Sequence, residues 1–292
     1  MPPHKDPLRV TVSLAVYVAF YVAADFVLGW MLSWVGGDFA GGLVTVLVSA
    51  LFANWLALRI YENRGLSAAG LPVSRASANN LALGLVGGIG SASLVLAPAL
   101  LVGAAHLAPI QTPPAAGTLS FVTLMLAAGS AGEEILFRGY GFQALMAAAG
   151  PFAAIVPVGV VFALMHTGNP NATAFGIANT AGFGILFGYA FFRTRDLWLP
   201  IGLHFGWNFT LPLFGVNVSG LKMVVTGHEM VWTAGGFWSG GEYGSEASVL
   251  TSGVLILLFV YVWKAPCRRQ ASPITDPPTE SVLCEPSSPV PS

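Results

Sequence analysis

Residues 129–141 read GSAGEEILFRGYG and place two adjacent glutamates and an arginine within an apolar chain. The stretch is flanked by LML at residues 124–126 and by AAA at residues 147–149. Only 9% of all residues are charged, whereas a soluble domain carries about 25%. Charged side chains within membrane-spanning helices usually face the interior of the bundle and pair with one another. The stretch therefore indicates a helical membrane bundle with a polar interior.

The overall composition also points to an integral membrane protein. Of the 292 residues 55% are hydrophobic, and the mean hydropathy is +0.72. The net charge of -1 argues against nucleic acid as a partner. Both cysteines, Cys267 and Cys284, lie near the C-terminus, which argues against a disulfide framework and against a cysteine zinc site. A long apolar run without a small-residue cleavage site follows Arg9, so we interpret it as an anchor rather than a removed signal peptide.

Eight apolar runs are candidates for membrane-spanning helices, which need about 20 mainly apolar residues each. The runs are continuous rather than alternating, so they favour an all-α bundle over a β-barrel. The predicted helices cover residues 10–35, 39–58, 81–107, 118–137, 152–166, 174–192, 197–216 and 249–263. The sequence therefore predicts a polytopic membrane domain over residues 1–264, with about eight transmembrane helices.

The lysine and arginine residues predict the orientation of the bundle, because cytoplasmic loops carry an excess of both. If both termini are cytoplasmic, ten of the 12 basic residues fall on the cytoplasmic side. These ten are Lys5, Arg9, Arg59, Arg64, Arg75, Arg193, Arg195, Lys264, Arg268 and Arg269. The other two are Lys222 in an outer loop and Arg138 within a helix. We therefore expect a multi-pass protein of the cell membrane with both termini in the cytoplasm.

Two segments lie outside the predicted helices. Residues 265–292 contain seven prolines together with Ser, Thr, Asp and Glu, a composition that predicts a disordered cytoplasmic tail. The outer loop at residues 217–247 is rich in glycine and contains two tryptophans, but its sequence pattern predicts no particular fold.

The polar residues of the predicted helices form three groups. The groups are Glu133, Glu134 and Arg138; His166; and His204 with Asn208. Residues four apart share a helix face, so Glu134 can pair with Arg138 while Glu133 points elsewhere. His204 and Asn208 are also four apart and can project into one cavity. Asp25 stands alone in the first predicted helix, and we interpret it as a packing or cavity residue.

Counting along the chain predicts that the three groups lie at one depth. If residues 118–150 form one helix and Gly150-Pro151 makes the turn, Glu133 and His166 are nearly equally far from that turn. His204 lies seven residues beyond Leu197, counted from the same side. We therefore expect all three groups to line one polar cavity about 10 Å below the cytoplasmic surface, open to the cytoplasm or to the inner leaflet.

The residue types in this layer suit hydrolysis. A carboxylate and an imidazole can activate a water as general base and later act as acid. A second histidine with an asparagine can stabilise an oxyanion. A glutamate and two histidines, here Glu133, His166 and His204, also match the ligand set of a catalytic zinc site. The residues alone leave both chemistries open.

Three motifs resemble those of the CPBP family, the CAAX protease and bacteriocin-processing (Abi) intramembrane proteases. EEILFR at residues 133–138 matches the family's EExxxR motif, FALMH at residues 162–166 matches FxxxH, and HFGWN at residues 204–208 matches Hxxx(N/D). All three occur in the family's order, and the resemblance covers residues 118–216, which we take as the catalytic core. It implies a CAAX-protease-like intramembrane endopeptidase.

The resemblance also implies a role for each motif residue. Glu133 and His166 would activate the water, and His204 and Asn208 would hold the oxyanion. Two further residues would give structural or electrostatic support: Glu134 and Arg138. The family is named for metalloproteases, yet a metal-free water activated by glutamate is an accepted interpretation of its chemistry, so zinc and no metal both stay open as cofactor predictions. The implied substrate is a membrane-anchored protein or peptide, prenylated or not.

Two other function classes remain as alternatives. Intramembrane Glu, His and Arg residues also form proton relays, so a proton-coupled transporter is one alternative, although the two halves of the chain show no repeat. A non-catalytic membrane scaffold is the other. We interpret His228 and Glu229 as solvated residues of the outer loop, and Phe162 as a packing residue.

Overall fold

The computed structural model describes residues 6–34 and 38–276 and is mostly helical. Its α-helices are α1 (Pro7–Ser33), α2 (Asp38–Ala57), α3 (Arg75–Leu101), α4 (Thr118–Arg138), α5 (Tyr140–Ala149), α6 (Pro151–Met165), α7 (Ala174–Thr194), α8 (Trp198–Leu213), α9 (Gly236–Ser239) and α10 (Val249–Lys264). A π-helical turn, Leu58–Glu62, extends α2, and 3-10 turns follow at Leu66–Ala69, Gly241–Tyr243 and Ser245–Ala247. The predicted all-α bundle is confirmed.

Five helical stretches among the described residues are long and apolar enough to cross a membrane. They are Pro7–Leu32, Gly41–Glu62, Arg75–Leu101, Thr118–Ala149 and Ala174–Thr194. The remaining predicted spans correspond to the shorter helices α6, α8 and α10. A multi-pass helical membrane protein therefore fits the structure, while the count of eight crossings stays a prediction.

The third predicted helix was placed too far along the chain. α3 begins at Arg75 and ends at Leu101, and Gly103 then takes a positive φ of 74° in the turn that follows. The next residues form strand β1 (Ala105–Pro109), which pairs antiparallel with β2 (His228–Trp232). The apolar pattern of this stretch thus belongs partly to a short β-ribbon, which joins the outer loop to the end of α3.

A break at Gly139 separates α4 from α5, so the predicted continuous helix over residues 118–150 is wrong. Asn54 of α2 stabilises the break, because its side-chain oxygen accepts from Tyr140 N at 2.7 Å and its amide donates to Ile135 O at 3.0 Å. A Cβ atom at residue 139 would lie 2.2 Å from that Asn54 oxygen. Glycine is therefore required there by close approach, and the chain leaves α4 in a new direction.

Paired glycines bring α3 and α8 into close contact. Gly84 and Gly88 on α3 face Gly202 and Gly206 on α8, and each pair has the four-residue spacing that lets helix backbones approach in membranes. A Cβ atom at Gly88 would lie 2.3 Å from the Leu203 carbonyl oxygen. Because Leu203 precedes His204, this contact fixes the position of the helix that carries the third motif.

We expect Gly88→Ala to destabilise the protein, while Gly90→Ala on the same helix should not. A methyl group at residue 88 meets α8 backbone, whereas nothing lies within 4 Å of the equivalent atom at residue 90. Overpacking of this kind costs about 1–3 kcal/mol. Thermal unfolding in detergent should show a clearly lower midpoint for Gly88→Ala only. Equal midpoints for the two variants would contradict the α3–α8 contact.

The chain beyond α10 packs against the arginine-rich end of the bundle. Gln270 N donates to Thr194 O at 2.8 Å, and the Gln270 side chain donates to Asp196, which Asn80 also contacts at 2.7 Å. Ile274 is buried in the cluster around α1, α2 and α5. Residues 265–276, the first part of the predicted disordered tail, are therefore ordered on the bundle, and residues 277–292 lie outside the described residues.

Candidate active site

Glu133, His166 and His204 meet in one layer, as the sequence predicts. Glu133 Oε2 lies 3.9 Å from His166 Nε2 and 3.9 Å from His204 Nε2. This oxygen is buried and has no hydrogen-bond partner among the described residues. These separations agree with the predicted convergence of the three groups. A gap of this size between three polar atoms accepts one water hydrogen-bonded to each of them.

The His166 ring is oriented by its own helix. His166 ends α6, and its Nδ1 lies 2.8 Å from the carbonyl oxygen of Phe162, one turn earlier. Because a carbonyl oxygen only accepts, Nδ1 carries the proton and the lone pair of the neutral ring is on Nε2. His166 thus presents an acceptor nitrogen toward Glu133.

Glu134 connects two residues rather than one. Its Oε1 accepts from Arg138 Nη1 at 3.1 Å, as the spacing predicts, and also from His204 Nδ1 at 2.9 Å. Glu134 and Arg138 are both fully buried. The hydrogen bond to the carboxylate fixes the His204 ring and leaves Nε2 directed toward Glu133, 3.9 Å from its Oε2.

Arg138 is held on several sides. Its Nη2 donates to the carbonyl oxygen of Gly184 on α7 at 2.7 Å, and its guanidinium lies 4.9 Å from the centre of the Phe162 ring. Phe162 therefore does more than pack, because its carbonyl orients His166 while its ring covers Arg138. The Phe162 ring centre also lies 6.0 Å from that of His204, so this phenylalanine of the second motif contacts both the first and the third.

The polar layer lines a cavity of ≈ 320 Å³. Glu133, His166, His204 and Asn208 all contribute to its wall, so the predicted residues of three helices share one space. The rest of the lining is mostly apolar, with side chains such as Leu126 and others from α2, α6 and α7. Such a cavity combines a few polar groups with an apolar wall, as ligand sites commonly do.

The cavity extends toward the opposite end of the bundle from the one we expected. Its lining includes Val218, Ser219 and Glu246 from the segment after α8, but no residue of the connections at residues 58–74 or 139–150. Those connections are closed by buried polar contacts, such as Gln143 donating to Ala69 O at 2.7 Å. The described lining therefore reaches the segment after α8 rather than the connections at the arginine-rich end, and the opening to the cytoplasm or to the inner leaflet stays a prediction.

Glu246 and Trp207 are site residues that the sequence analysis missed. Both line the cavity, and both are buried, with 6% and 2% exposure. Burial raises the pKa of the Glu246 carboxyl, while the hydrogen bond from Ser219 N–H opposes that shift. Glu246 follows a glycine-rich segment without periodicity, so no local pattern signals it. Trp207 lies inside the HFGWN motif, one residue from Asn208, and its position in that motif could have indicated that it lies at the site.

Other polar residues singled out in the sequence lie elsewhere. Asp25 hydrogen-bonds Tyr21 on the same helix, and only Tyr21 lines the cavity. Glu229 is in β2 and pairs with Lys222 at 2.7 Å, and His228 begins the same strand. Asp25, predicted to be a packing or cavity residue, and the loop residues His228 and Glu229 do not line the cavity.

The three predicted metal ligands do not form a zinc site as they are placed. Tetrahedral zinc with bonds of about 2.0–2.1 Å holds its ligand atoms about 3.3 Å apart. Glu133 Oε2 lies 3.9 Å from each of the two histidine nitrogens. No group of three His, Cys, Asp or Glu residues suited to a metal ion occurs within residues 6–34 and 38–276. The spacing fits a bridging water better than a metal ion.

A comparison with known families finds a match in the region of the three motifs. Residues 114–210 match the family described as type II CAAX prenyl endopeptidase Rce1-like. The matched region includes all three motifs and agrees with the resemblance to the CPBP family over residues 118–216. No curated protein matches the chain. Over residues 114–210 the chain is therefore similar to the Rce1-like family of type II CAAX prenyl endopeptidases, which supports the resemblance to the CPBP family.

Proposed function

We propose that this protein hydrolyses a peptide bond of a membrane-associated protein or peptide, using a water activated by Glu133 and His166. The observation that carries the proposal is the unpartnered Glu133 Oε2 at 3.9 Å from two imidazole nitrogens in a cavity within the bundle. A buried carboxylate oxygen without a partner is unfavourable unless a ligand or water satisfies it. In this proposal the catalytic core at residues 118–216 carries out the reaction within the membrane domain at residues 1–264.

In the proposed mechanism, Glu133 takes a proton from the water while His166 Nε2 accepts its second hydrogen bond. The water oxygen attacks the carbonyl carbon of the peptide, and the electron pair of the C=O bond moves onto oxygen. His204 N–H and the Asn208 amide donate to this oxyanion. The oxyanion then collapses, the C–N bond breaks, and Glu133 gives its proton to the departing amine. The products are a carboxylic acid and an amine, and a proton then passes from the acid to the amine.

Glu134 and Arg138 act through other residues in this scheme. The Glu134 carboxylate accepts from His204 Nδ1 and orients its ring, and Arg138 donates to the same carboxylate within an apolar interior. Neither side chain lines the cavity. We therefore assign both to positioning, in agreement with the supporting role that the resemblance implies.

The substrate class is tested with lipid-anchored peptides. The matched family is named for CAAX prenyl substrates, so a farnesylated peptide with a C-terminal CAAX sequence and its non-lipidated counterpart form the first pair. The purified protein in lipid nanodiscs should cleave the lipidated peptide faster, with and without a metal chelator. Loss of activity with the chelator, restored by added zinc, would overturn the metal-free scheme; no cleavage of any membrane-anchored peptide would overturn the peptidase function.

The orientation of the bundle gives a separate prediction. From the distribution of basic residues, we expect the end of α10 and the segment at residues 217–247 to lie on opposite sides of the membrane. Reporter fusions after Trp263 and within residues 217–247 should therefore give opposite signals, cytoplasmic for the first. The same side for both fusions would exclude an arrangement in which α10 crosses the membrane.

A further inference from the structure

Three exposed aromatic side chains form one patch at the end of the bundle that carries the outer loop. Phe175 lies in the first turn of α7, and Phe237 and Trp238 lie in α9. The Phe175 and Phe237 rings are stacked with their centres 6.2 Å apart, and the Phe237 and Trp238 rings meet edge to face at 5.6 Å. The three residues are 40%, 61% and 50% exposed. This aromatic patch therefore presents apolar surface that the packed core does not cover.

The sequence around the patch lacks the charges of a loop that lies in water. No charged residue occurs between Glu229 and Glu242, where the chain reads MVWTAGGFWSGG. Contiguous exposed apolar surface marks a site of interaction with a protein or a membrane. Tryptophan is enriched where a membrane meets water, because its ring is apolar and its N–H is polar. The composition of this stretch therefore fits the membrane boundary.

The length of α7 places the patch at that boundary. α7 has 21 residues, is apolar enough to cross a membrane and carries Arg193 in its last turn. A helix of this length spans about 32 Å, close to the thickness of about 30 Å of the hydrocarbon core. With Arg193 at the headgroups of one leaflet, Phe175 lies about 27 Å away, at the boundary of the other leaflet. Because Phe237 stacks on Phe175, α9 lies at the same depth.

The segment that follows α9 also builds the cavity wall, because it contains Glu246. This segment lies along the first turns of α7. A Cβ atom at Gly176 would lie 3.0 Å from the Tyr243 ring, and Asn179 donates to the Glu246 carbonyl oxygen at 2.8 Å. The aromatic patch and this part of the cavity wall are therefore attached to neighbouring turns of one helix.

We infer that α9 is a membrane anchor, in which Phe237 and Trp238, together with Phe175, insert between the headgroups and the acyl chains of the bilayer. The bilayer covers the patch and holds the segment that carries Glu246 in place. α9 also packs on α10, which exposes Ile256 and Leu257 in the same way, so the patch adjoins surface that faces lipid. The inference concerns contact with lipid and stands whether or not the protein cleaves peptides.

The test is the fluorescence of Trp238 in lipid nanodiscs. Spectra of the unmodified protein and of Trp238→Phe are recorded in phosphatidylcholine, in phosphatidylcholine brominated near the top of its acyl chains, and with iodide in the buffer. The difference between the two proteins isolates Trp238. Brominated lipid should lower this difference at least about twofold, and iodide should lower it less. Stronger quenching by iodide than by lipid would overturn the anchor, and so would a Trp238 signal that neither quencher lowers.

Two further sets of variants make the result specific. Trp207→Phe is the matched control, because Trp207 is only 2% exposed, so the signal that it isolates should resist both quenchers. Phe237→Ser combined with Trp238→Ser removes the apolar contact with lipid. In nanodiscs this variant should exchange the backbone amides of residues 236–247 at least about threefold faster than the unmodified protein, whereas leucine at both positions should slow the exchange again. Equal exchange in the serine variant and the unmodified protein would contradict the idea that the bilayer holds this segment.

Discussion

Glu133→Gln should lower peptide cleavage by about a thousandfold while the protein keeps its folded yield and melting temperature. General-base catalysis contributes about 10²–10⁴ to rate, and glutamine cannot take the proton from the attacking water. Stability should not change, because Glu133 Oε2 makes no hydrogen bond and the side chain remains 26% exposed. Initial rates with a lipid-anchored peptide, measured beside thermal unfolding of the same preparation, check both parts of this expectation.

Glu242→Gln is the control for that experiment. It makes the same chemical change on an exposed residue outside the cavity, and should leave both the rate and the melting temperature as they are. Near-normal turnover by the Glu133→Gln protein would show that another group activates the water. A fall in activity that follows a fall in melting temperature would mean that Glu133 is structural instead.

Arg138→Ala should give the largest loss of stability, about 3–5 kcal/mol, because it leaves the fully buried Glu134 carboxylate without its cation. The variant also removes the hydrogen bond to Gly184 O at 2.7 Å and the packing of the guanidinium on Phe162. Folded yield from membranes and the midpoint of thermal unfolding in detergent are the measurements. A midpoint equal to that of the unmodified protein would contradict the structural assignment of this residue.

A double variant separates charge from packing at this site. Glu134→Gln combined with Arg138→Met removes both charges and keeps most of the volume, and replacing a buried ion pair in this way is often close to neutral for stability. The double variant should therefore unfold at a higher temperature than Arg138→Ala alone. Cleavage should stay low, because His204 has then lost the carboxylate that orients it. Recovery of stability together with full activity would remove Glu134 from the positioning role.

The sequence predicted which side chains meet better than it predicted the path of the backbone between them. Counting from Gly150-Pro151 put Glu133 and His166 at one depth, and they lie 3.9 Å apart. The premise of a continuous helix was nonetheless wrong, because Asn54, about 80 residues away in sequence, stabilises a break at Gly139. No local pattern in residues 118–150 contains that contact.

Contacts between residues of one helix could be predicted from the sequence, whereas contacts between different helices could not. The four-residue interval predicted the pair of Glu134 and Arg138, since it depends on helix geometry alone. The second contact of Glu134, with His204, depends on how α4 and α8 are placed side by side. Close glycine contacts hold each of these helices against a different neighbour, Gly132 of α4 against α2 and Gly206 of α8 against α3. Glu246 depends on the fold of a glycine-rich segment held by Asn179 and Ser219, for which periodicity gives no signal.

The oxygen that Glu134 shares between Arg138 and His204 has a consequence for how this site can change in evolution. A lineage that no longer needed the reaction would still be under selection to keep Glu134 and Arg138, since folding depends on them. Glu133 is not under that selection, because its Oε2 makes no hydrogen bond among the described residues and we expect the bundle to fold without it. Its presence in this chain is therefore more informative about activity than the presence of the buried pair, and it weighs against a purely structural scaffold. Among related sequences, decay of the enzyme should be visible first at residue 133 and last at residue 138.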